Sequence, residues 1–276
     1  MIRGFTSTVA AACVAHLLMG GAAEAQTFRQ PGIFPVFDGW ETMPDGSMEF
    51  YFGYMNRHPL QVTIPLGPDN SFEPAPADQN QPTNFLPGRH EHVFTIRKPK
   101  GWDGKLVWTL KSEVGVQKAN GSTNQLYILE VEEEEPGEHI VPPTMTTRDV
   151  AGKAGEPINL TTEVKATPAK ERVIEGSGPR NAGLSVAWSL YRGPGTVSFR
   201  AMPGVTAAPR STTGRGGRPA PPPTPGVFTT ECAFPVTASC GAAQATFSAP
   251  GEYVLRAVAQ QQREQARAFV RVRVGQ

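Results

Sequence analysis

The fold is decided by the stretch Ala245-Thr246-Phe247-Ser248-Ala249-Pro250-Gly251-Glu252-Tyr253-Val254-Leu255. Polar and apolar residues alternate on each side of Pro250-Gly251, and such alternation is typical of strands with one buried face. Proline followed by glycine is a strong turn signal. We therefore expect two strands joined by a turn, at 243–248 and 252–259.

The β pattern continues outward through the second half of the chain. Four further segments are candidate strands: 157–165, 184–191, 196–200 and 267–274. Segment 260–266 lies between two candidate strands, so we expect a hairpin loop there. Segment 203–226 breaks the pattern, because 12 of its 24 residues are Pro or Gly. That composition is typical of a flexible insertion.

One tryptophan and two motifs resemble bacterial PKD-like domains of the immunoglobulin type. Trp188 lies in a candidate strand, Gly193-Pro194-Gly195-Thr196-Val197-Ser198-Phe199 follows it, and the 245–255 stretch comes later. The resemblance covers roughly residues 145–276 and implies a β-sandwich with Trp188 in its core. It also implies that Tyr253 returns its hydroxyl to the preceding loop. Leu255 stands where antibody domains have their second cysteine, so the chain departs from the antibody pattern.

The first half also alternates, and it is similar to segments of uncharacterised exported bacterial proteins. Its candidate strands are 48–54, 60–66, 93–97, 105–110 and 125–131. Pro65 indicates an edge or a bulge in the second of these. Segment 67–88 is a long polar loop, which is typical of a functional or poorly ordered region. The sequence therefore predicts an all-β fold with two antiparallel β-sandwich domains.

The first 25 residues have the pattern of a secretory signal peptide, with Arg3, a small apolar run and an Ala23-Glu24-Ala25 cleavage site. The run is shorter than the ~20 apolar residues that cross a bilayer as a helix. The alternatives are a membrane anchor and a lipoprotein acylated at Cys13. Cleavage after Ala25 predicts a mature chain without a transmembrane helix, located in the periplasm, at the cell surface or outside the cell.

Export places the two remaining cysteines, Cys232 and Cys240, in an oxidising compartment. With no other cysteine left, the expected product is a single structural disulfide. A C-x7-C pair with no histidine nearby is a poor zinc site. A redox role would favour C-x-x-C.

Charge divides the chain in two. Residues 26–135 contain 9 Lys/Arg and 15 Asp/Glu, whereas residues 136–276 contain 16 Lys/Arg and 9 Asp/Glu. The acidic run Glu132–Glu135 and the following Pro136-Gly137 mark the change. We predict domains at 26–135 and 151–276, joined by a linker at 136–150. The acidic run is interpreted as a solvated strand end or as a patch for a cation or a basic partner.

Composition excludes several classes of protein. With 29 Gly and 27 Pro in 276 residues, the chain is not mainly helical. With 39% hydrophobic residues and a net charge of +1, it is neither disordered throughout nor an ordinary nucleic-acid binder. It also lacks the serine-hydrolase elbow, the H-E-x-x-H zinc motif and the glycine-rich phosphate loops.

Weak metal candidates remain. His90 and His92 would share one face of a strand, with His58 and Glu91 as the available further ligands. Asp69, Asn70, Glu73 and Asp78 supply oxygen ligands of the kind that calcium takes, although such residues also make turns. Exposed strand-end histidines and ordinary turn residues are the alternative interpretation. No cofactor is expected.

Trp40 and Trp102 are candidates for an exposed aromatic platform that binds sugar, and core packing is their alternative role. The leading functional prediction is an exported, non-enzymatic module that acts in binding, adhesion or structure, with an envelope or extracellular protein as partner. A polysaccharide-binding protein is the second hypothesis. A hydrolase with an unrecognised site is the third.

Overall fold

Regular structure in this protein consists almost entirely of β-strands. The computed structural model describes residues 31–129, 141–168, 183–203, 224–262 and 264–276. Within these ranges it has eighteen strands and one single-turn 3₁₀ helix. The predicted signal peptide lies outside the described residues. So do residues 136–140 of the predicted linker and residues 204–223 of the predicted insertion.

The first half forms three antiparallel sheets. Its strands are β1 (Ile33–Thr42), β2 (Met48–Asn56), β3 (Val62–Thr63), β4 (Asn70–Glu73), β5 (Asn84–Phe85), β6 (Gly88–Lys98), β7 (Leu106–Ser112) and β8 (Gly115–Gly121). The sheets have the strand orders β1-β2-β6, β4-β7-β8 and β3-β5. Side chains from all three sheets build one core, which includes Phe50, Phe72, Phe85, Phe94 and Trp108.

The second half packs a five-stranded sheet against a three-stranded one. Its strands are β9 (Thr144–Thr147), β10 (Val150–Lys153), β11 (Pro157–Leu160), β12 (Thr162–Lys165), β13 (Leu184–Arg192), β14 (Val197–Ala201), β15 (Val227–Cys232), β16 (Ala243–Phe247), β17 (Gly251–Gln261) and β18 (Glu264–Gly275). The main sheets have the orders β10-β18-β17-β13-β15 and β11-β16-β14, and β12 pairs with β9. All pairs are antiparallel except β10 with β18.

Buried and exposed residues alternate along the strands that form the core of the second half. In β17 the residues Tyr253, Leu255 and Ala257 are buried, while their neighbours along the strand are more exposed. Leu255 faces Val270 across the sheet, so both strands turn apolar side chains to the same side. The indole of Trp188 lies in this core and donates to the Gly241 carbonyl at 2.7 Å. The predicted all-β class with two sandwiches is confirmed.

Several elements differ from the sequence prediction. Residues 125–129, the described part of the predicted strand 125–131, do not form a strand. Gln125–Tyr127 instead forms a 3₁₀ helix whose first turn is capped by the Asn124 side chain. Segment 60–66 forms only the two-residue β3, and Leu60 at its start is exposed. The structure adds strands that the sequence did not predict: β1, β4, β5, β8, β9, β10 and β15.

The predicted loop at 67–88 is a folded segment built on buried side-chain amides. Asn70 donates to the carbonyls of Ile64 and Pro82 at 3.0 and 2.8 Å. Gln81 donates to the Ala77 carbonyl at 2.9 Å and is fully buried. Asn84 accepts hydrogen bonds from Gln61 and Thr63, each at 2.9 Å. These buried amides hydrogen-bond carbonyls and side chains of the segment and its neighbours, so the segment is ordered without long strands.

Residues 31–276 cluster by contacts as one compact unit. Tyr191 and Val254 belong to the second half by sequence, yet both pack against the core of the first half. The predicted domain boundary stays a prediction, because residues 130–140 lie outside the described part.

Candidate functional site

The richest group of polar and ionisable side chains lies where the two halves meet. We call this region the seam. From the first half it includes Asp38, Glu41, Glu49, Tyr51, Tyr54, Asp78, Arg89, His90 and His92, and from the second half Tyr191, Arg192, Val254, Arg256, Arg267 and Phe269. The sequence predicts no site of this composition, because its members are distributed over seven segments of chain.

The end of β13 is hydrogen-bonded to segment 67–88. Arg192 makes two hydrogen bonds to the Asp78 carboxylate, at 2.7 and 3.0 Å, and its Nε donates to the Gln81 carbonyl at 2.7 Å. The guanidinium lowers the pKa of Asp78, because it hydrogen-bonds the ionised carboxylate. The backbone N–H of Thr83 donates to the Tyr191 carbonyl at 3.1 Å. Asp78, a weak calcium candidate, is therefore occupied by an arginine.

Aromatic contacts close the same region. The Tyr191 ring lies 4.8 Å from the Phe269 ring, centroid to centroid. Its hydroxyl donates to the Asn80 carbonyl. Burial raises the pKa of Tyr191 well above its usual value, so the phenol stays neutral at physiological pH. Tyr191 therefore contributes a neutral donor and a large apolar surface to the seam.

A double irregularity of the β1-β2-β6 sheet places one ion pair in the seam. The register shifts between Phe37 and Gly39 on β1, and again opposite Gly53 of β2. Asp38, the extra residue of β1, has a buried carboxylate that pairs with Arg89 and accepts from the His92 N–H at 2.7 Å. A side chain at Gly53 would collide with Asp38 and Arg89, so glycine makes room for the pair.

The two histidines do not share one face, contrary to the metal hypothesis. His90 packs on the Tyr54 ring at 4.9 Å, and its Nε2 lies 3.0 Å from the Pro87 carbonyl. His92 packs on the Tyr51 ring at 5.1 Å. Tyr54 points into the core of the first half and Tyr51 points away from it. The register shift in this part of β6 is the cause. Burial lowers the pKa of both histidines.

Tyr51 lies between two carboxylates. Glu41 and Glu49 are directly opposite each other on β1 and β2, and the Tyr51 hydroxyl donates to Glu41 and lies 3.1 Å from Glu49. Like charges facing each other across a ladder are destabilising. The shared phenol reduces that repulsion, and burial together with the two carboxylates raises the pKa of Tyr51. The sequence did not single out this acidic pair, because its members are adjacent only after β1 and β2 pair.

Other predicted metal candidates have ordinary partners. Asp69 lies 3.6 Å from the Lys111 ammonium on the surface. Asn70 uses its amide within the folded segment and accepts from the Trp108 indole at 3.0 Å. His58 lies 3.3 Å from Glu113. Among the described residues, no group of three or more His, Cys, Asp or Glu side chains is arranged to hold a metal ion.

The two tryptophans of the sugar hypothesis do not form an open platform. Trp40 is only 9% exposed and donates its indole N–H to the Asn124 carbonyl at 2.9 Å. Trp102 is partly buried, edge-on to Phe50 at 5.1 Å, and the Lys98 ammonium lies 5.6 Å from its ring centroid. Core packing accounts for Trp40, so the hypothesis loses one of its two aromatic residues.

The cysteines form the predicted disulfide, which joins Cys232 at the end of β15 to Cys240 just before β16. The Cys240 carbonyl accepts from the Thr162 hydroxyl at 2.7 Å. In the same half, the Tyr253 hydroxyl donates to the Ala249 carbonyl at 2.7 Å, which is the interaction that the resemblance to PKD-like domains implied. These residues stabilise the sandwich and bring no reactive group together.

A shallow groove with a mixed polar and apolar lining lies in the first half. It runs between segment 62–69 and residues 111–113. Leu66 in this groove is 40% exposed, and neighbouring Leu60 is 65% exposed. The sequence predicts a strand at 60–66, with both leucines inside it. The ladder of β3 ends after two residues, so Leu60 and Leu66 lie outside it.

The chain matches no protein-family model, and no curated protein matches it. Solved structures give low similarity over most of its length. Domains 4 and 5 of the S-layer protein SbsC are 9% identical with a TM-score of 0.25, covering 89% of this chain and 98% of that one. The D00-D0 domain of Intimin is 11% identical with a TM-score of 0.24, covering 89% and 100%. The Yersinia pseudotuberculosis adhesin InvE is 10% identical with a TM-score of 0.24, covering 87% of this chain and 58% of that one.

Similarity at these TM-scores carries no conclusion about function. In the described residues, no helix is both long and apolar enough to cross a membrane. The assignment of function therefore depends on the residues of the chain itself.

Proposed function

We propose that this protein is an exported, non-enzymatic binding module whose partner is a protein of the cell envelope or the extracellular space. The observation that carries the proposal is the exposed apolar side chain of Leu66 in the groove between 62–69 and 111–113, with exposed Leu60 two residues before the first groove segment. Large apolar side chains grouped at a groove are typical of protein-binding surfaces.

The use of the ionisable groups supports a non-enzymatic role. Tyr51, Tyr54 and Tyr191 have raised pKa values, but each hydroxyl is hydrogen-bonded within the fold. The groove that we assign to the partner contains none of these tyrosines. Groups with displaced pKa values mark an active site only when they converge on a place that a substrate reaches. Here the Tyr51 and Tyr54 hydroxyls bond within the first half, and the Tyr191 hydroxyl joins the two halves.

Two features support export. The Ala23-Glu24-Ala25 sequence at the end of the predicted signal peptide fits a cleavage site. The Cys232–Cys240 disulfide fits an oxidising compartment, where such bonds persist.

Photo-crosslinking tests the proposed binding surface. A crosslinking amino acid at position 66, in protein produced in its native host, is expected to capture a discrete protein that mass spectrometry identifies. The same probe at position 126 is the matched control, because Leu126 is 88% exposed in the same half but lies outside the groove. Capture of the same protein from both positions would contradict a specific surface.

Affinity measurements with the captured partner complete the test. Leu60→Asp and Leu66→Asp each place a charge on the apolar surface, and we expect each to weaken binding about tenfold or more, which is ~1.4 kcal/mol. Leu126→Asp is expected to bind like the unmodified protein. Equal losses in all three variants, or no loss in the groove variants, would overturn the proposal. So would capture of polysaccharide without any protein.

A further inference from the structure

Arg256 is the least satisfied charged group in the seam. It lies on β17, on the face of the sheet that turns away from the core of the second half. Its neighbours along the strand on that face are Val254 and Val258. Its Nε is buried and has no hydrogen-bond partner. No ion pair or hydrogen bond of Arg256 occurs within the described ranges. An arginine buried in this way costs several kcal/mol unless another group compensates its charge.

The groups around Arg256 do not provide that compensation. Its electrostatic neighbours are the phenols of Tyr54 and Tyr191, together with Arg267 and the imidazole of His90. Both phenols are neutral, and neither accepts from the Arg256 Nε; Tyr54 accepts from the Leu86 N–H at 2.9 Å and Tyr191 donates to the Asn80 carbonyl. Burial and the neighbouring Arg267 lower the pKa of Arg256 to about 10, which still leaves it charged at physiological pH.

The carboxylates of the seam are engaged elsewhere. Asp38 pairs with Arg89 and also accepts from the His92 N–H. Glu49 lies 3.1 Å from the Tyr51 hydroxyl and accepts from the Thr95 hydroxyl at 3.0 Å. These acids act on Arg267 by electrostatic attraction, but none of them acts on Arg256.

The sheet register brings a second guanidinium to the same place. Arg256 faces Phe269 across the ladder and Val258 faces Arg267, so the two arginines are diagonal neighbours on one face of the sheet. Such neighbours are about 7–8 Å apart at the backbone, which long side chains span. Their mutual repulsion lowers the pKa of Arg256, so the pair is unfavourable as it stands.

We propose that a small inorganic oxyanion of the phosphate or sulfate class binds in the seam on the guanidinium groups of Arg256 and Arg267. A guanidinium carries its N–H donors in a planar fork that matches two oxygens of such an anion. One anion would supply an acceptor for the buried Nε of Arg256 and cancel the repulsion between the arginines. The site joins the two halves and is separate from the groove at Leu66, so it goes beyond the protein-binding role.

Calorimetric titration of the purified protein with inorganic phosphate tests this site. The ionic strength is held constant with chloride, so that general screening does not contribute. We expect one phosphate per chain and a saturable rise in the melting temperature over the same concentrations. Arg256→Met is expected to weaken phosphate binding about tenfold or more. Arg273→Met, which removes an exposed arginine from the same strand as Arg267, is expected to leave it unchanged.

Three results of these titrations would contradict the phosphate site. No saturable heat with phosphate, or the same affinity in the Arg256→Met variant, would overturn the proposal. An equal effect of chloride would assign the change to screening and overturn it as well. Should Arg256→Met fail to fold, Arg267→Met provides the same comparison, because it removes the other half of the site. The partner-binding experiment at Leu66 is unaffected by either outcome.

Discussion

At the scale of single residues, buried amides replace the ligand roles that the sequence suggested. Asn70 was a candidate calcium ligand or turn residue, and in the structure it is 1% exposed and joins three segments of the first half. One of its partners is Trp108, 38 residues later in the chain. Asparagine is common in turns, so nothing in the sequence signals this role. It becomes visible only when β4 and β7 pair.

Asn70 offers a direct test of this role. Asn70→Ala leaves the Trp108 indole N–H and the Ile64 and Pro82 carbonyls without a partner in a buried place. We expect a loss of about 3 kcal/mol in the free energy of unfolding, measured by urea denaturation, because each buried unsatisfied group costs ~1–3 kcal/mol. Asn120→Ala, at an exposed position on β8, is the control and should change stability by less than ~0.5 kcal/mol. Equal effects would contradict the role of Asn70.

At the scale of elements, the sequence predicted strands where one face is buried along their full length. The segments of β2, β7, β13, β16 and β17 alternate in sequence and in burial. The prediction failed at β1, whose alternation is interrupted by the extra residue Asp38. It also failed at β8, whose Gly115 and Lys118 do not follow an apolar pattern. A bulge and an exposed edge depend on the partner strand, which a single segment does not reveal.

The disulfide stabilises one such element pair, β15 and the turn before β16. The Cys232–Cys240 bond closes a loop with a sequence separation of 8 residues. Loop-closure entropy predicts that reduction costs about 2–3 kcal/mol. We expect the denatured, unreduced protein that begins at Gln26 to show no free thiol in a thiol assay, and two thiols after reduction. Dithiothreitol should lower the melting temperature of the unmodified protein.

The double variant Cys232→Ser/Cys240→Ser is the control for this experiment. Dithiothreitol should leave its melting temperature unchanged, because it has no bond to reduce. A free thiol in the unreduced protein that begins at Gln26, and so lacks Cys13, would contradict the pairing.

At the scale of the whole molecule, acidic residues of the first half interact with basic residues of the second half. Asp78 of the acidic half binds Arg192 of the basic half, and Arg267 is attracted by Glu49 and Asp38. The sequence showed the contrast but not the contacts, since Asp78 and Arg192 are 114 residues apart. Surface ion pairs are worth little individually. The partly buried Arg192 and the aromatic contact of Tyr191 therefore contribute more to the packing of the seam than exposed ion pairs do.

The histidines of the seam make stability depend on pH. Burial lowers the pKa of His90 and His92 in the folded protein, with Arg89, Arg256 and Arg267 opposing their protonation. The Pro87 carbonyl favours the charged form of His90, and Asp38 and Glu91 favour that of His92, but the net direction is downward. The unfolded chain, with histidine pKa values near ~6.5, therefore binds more protons than the folded one as the pH falls below that value.

Stability should accordingly fall as the pH is lowered from about 6.5 toward the folded pKa values of the two histidines. Melting temperatures measured between pH 5 and 8 should show this slope, and His90→Gln and His92→Gln should each reduce it. The control His58→Gln removes an imidazole that lies against Glu113 outside the seam, and it should retain the slope. A slope that survives in the double variant His90→Gln/His92→Gln would show that other groups set it. The two halves would then be joined by contacts whose strength does not depend on these imidazoles.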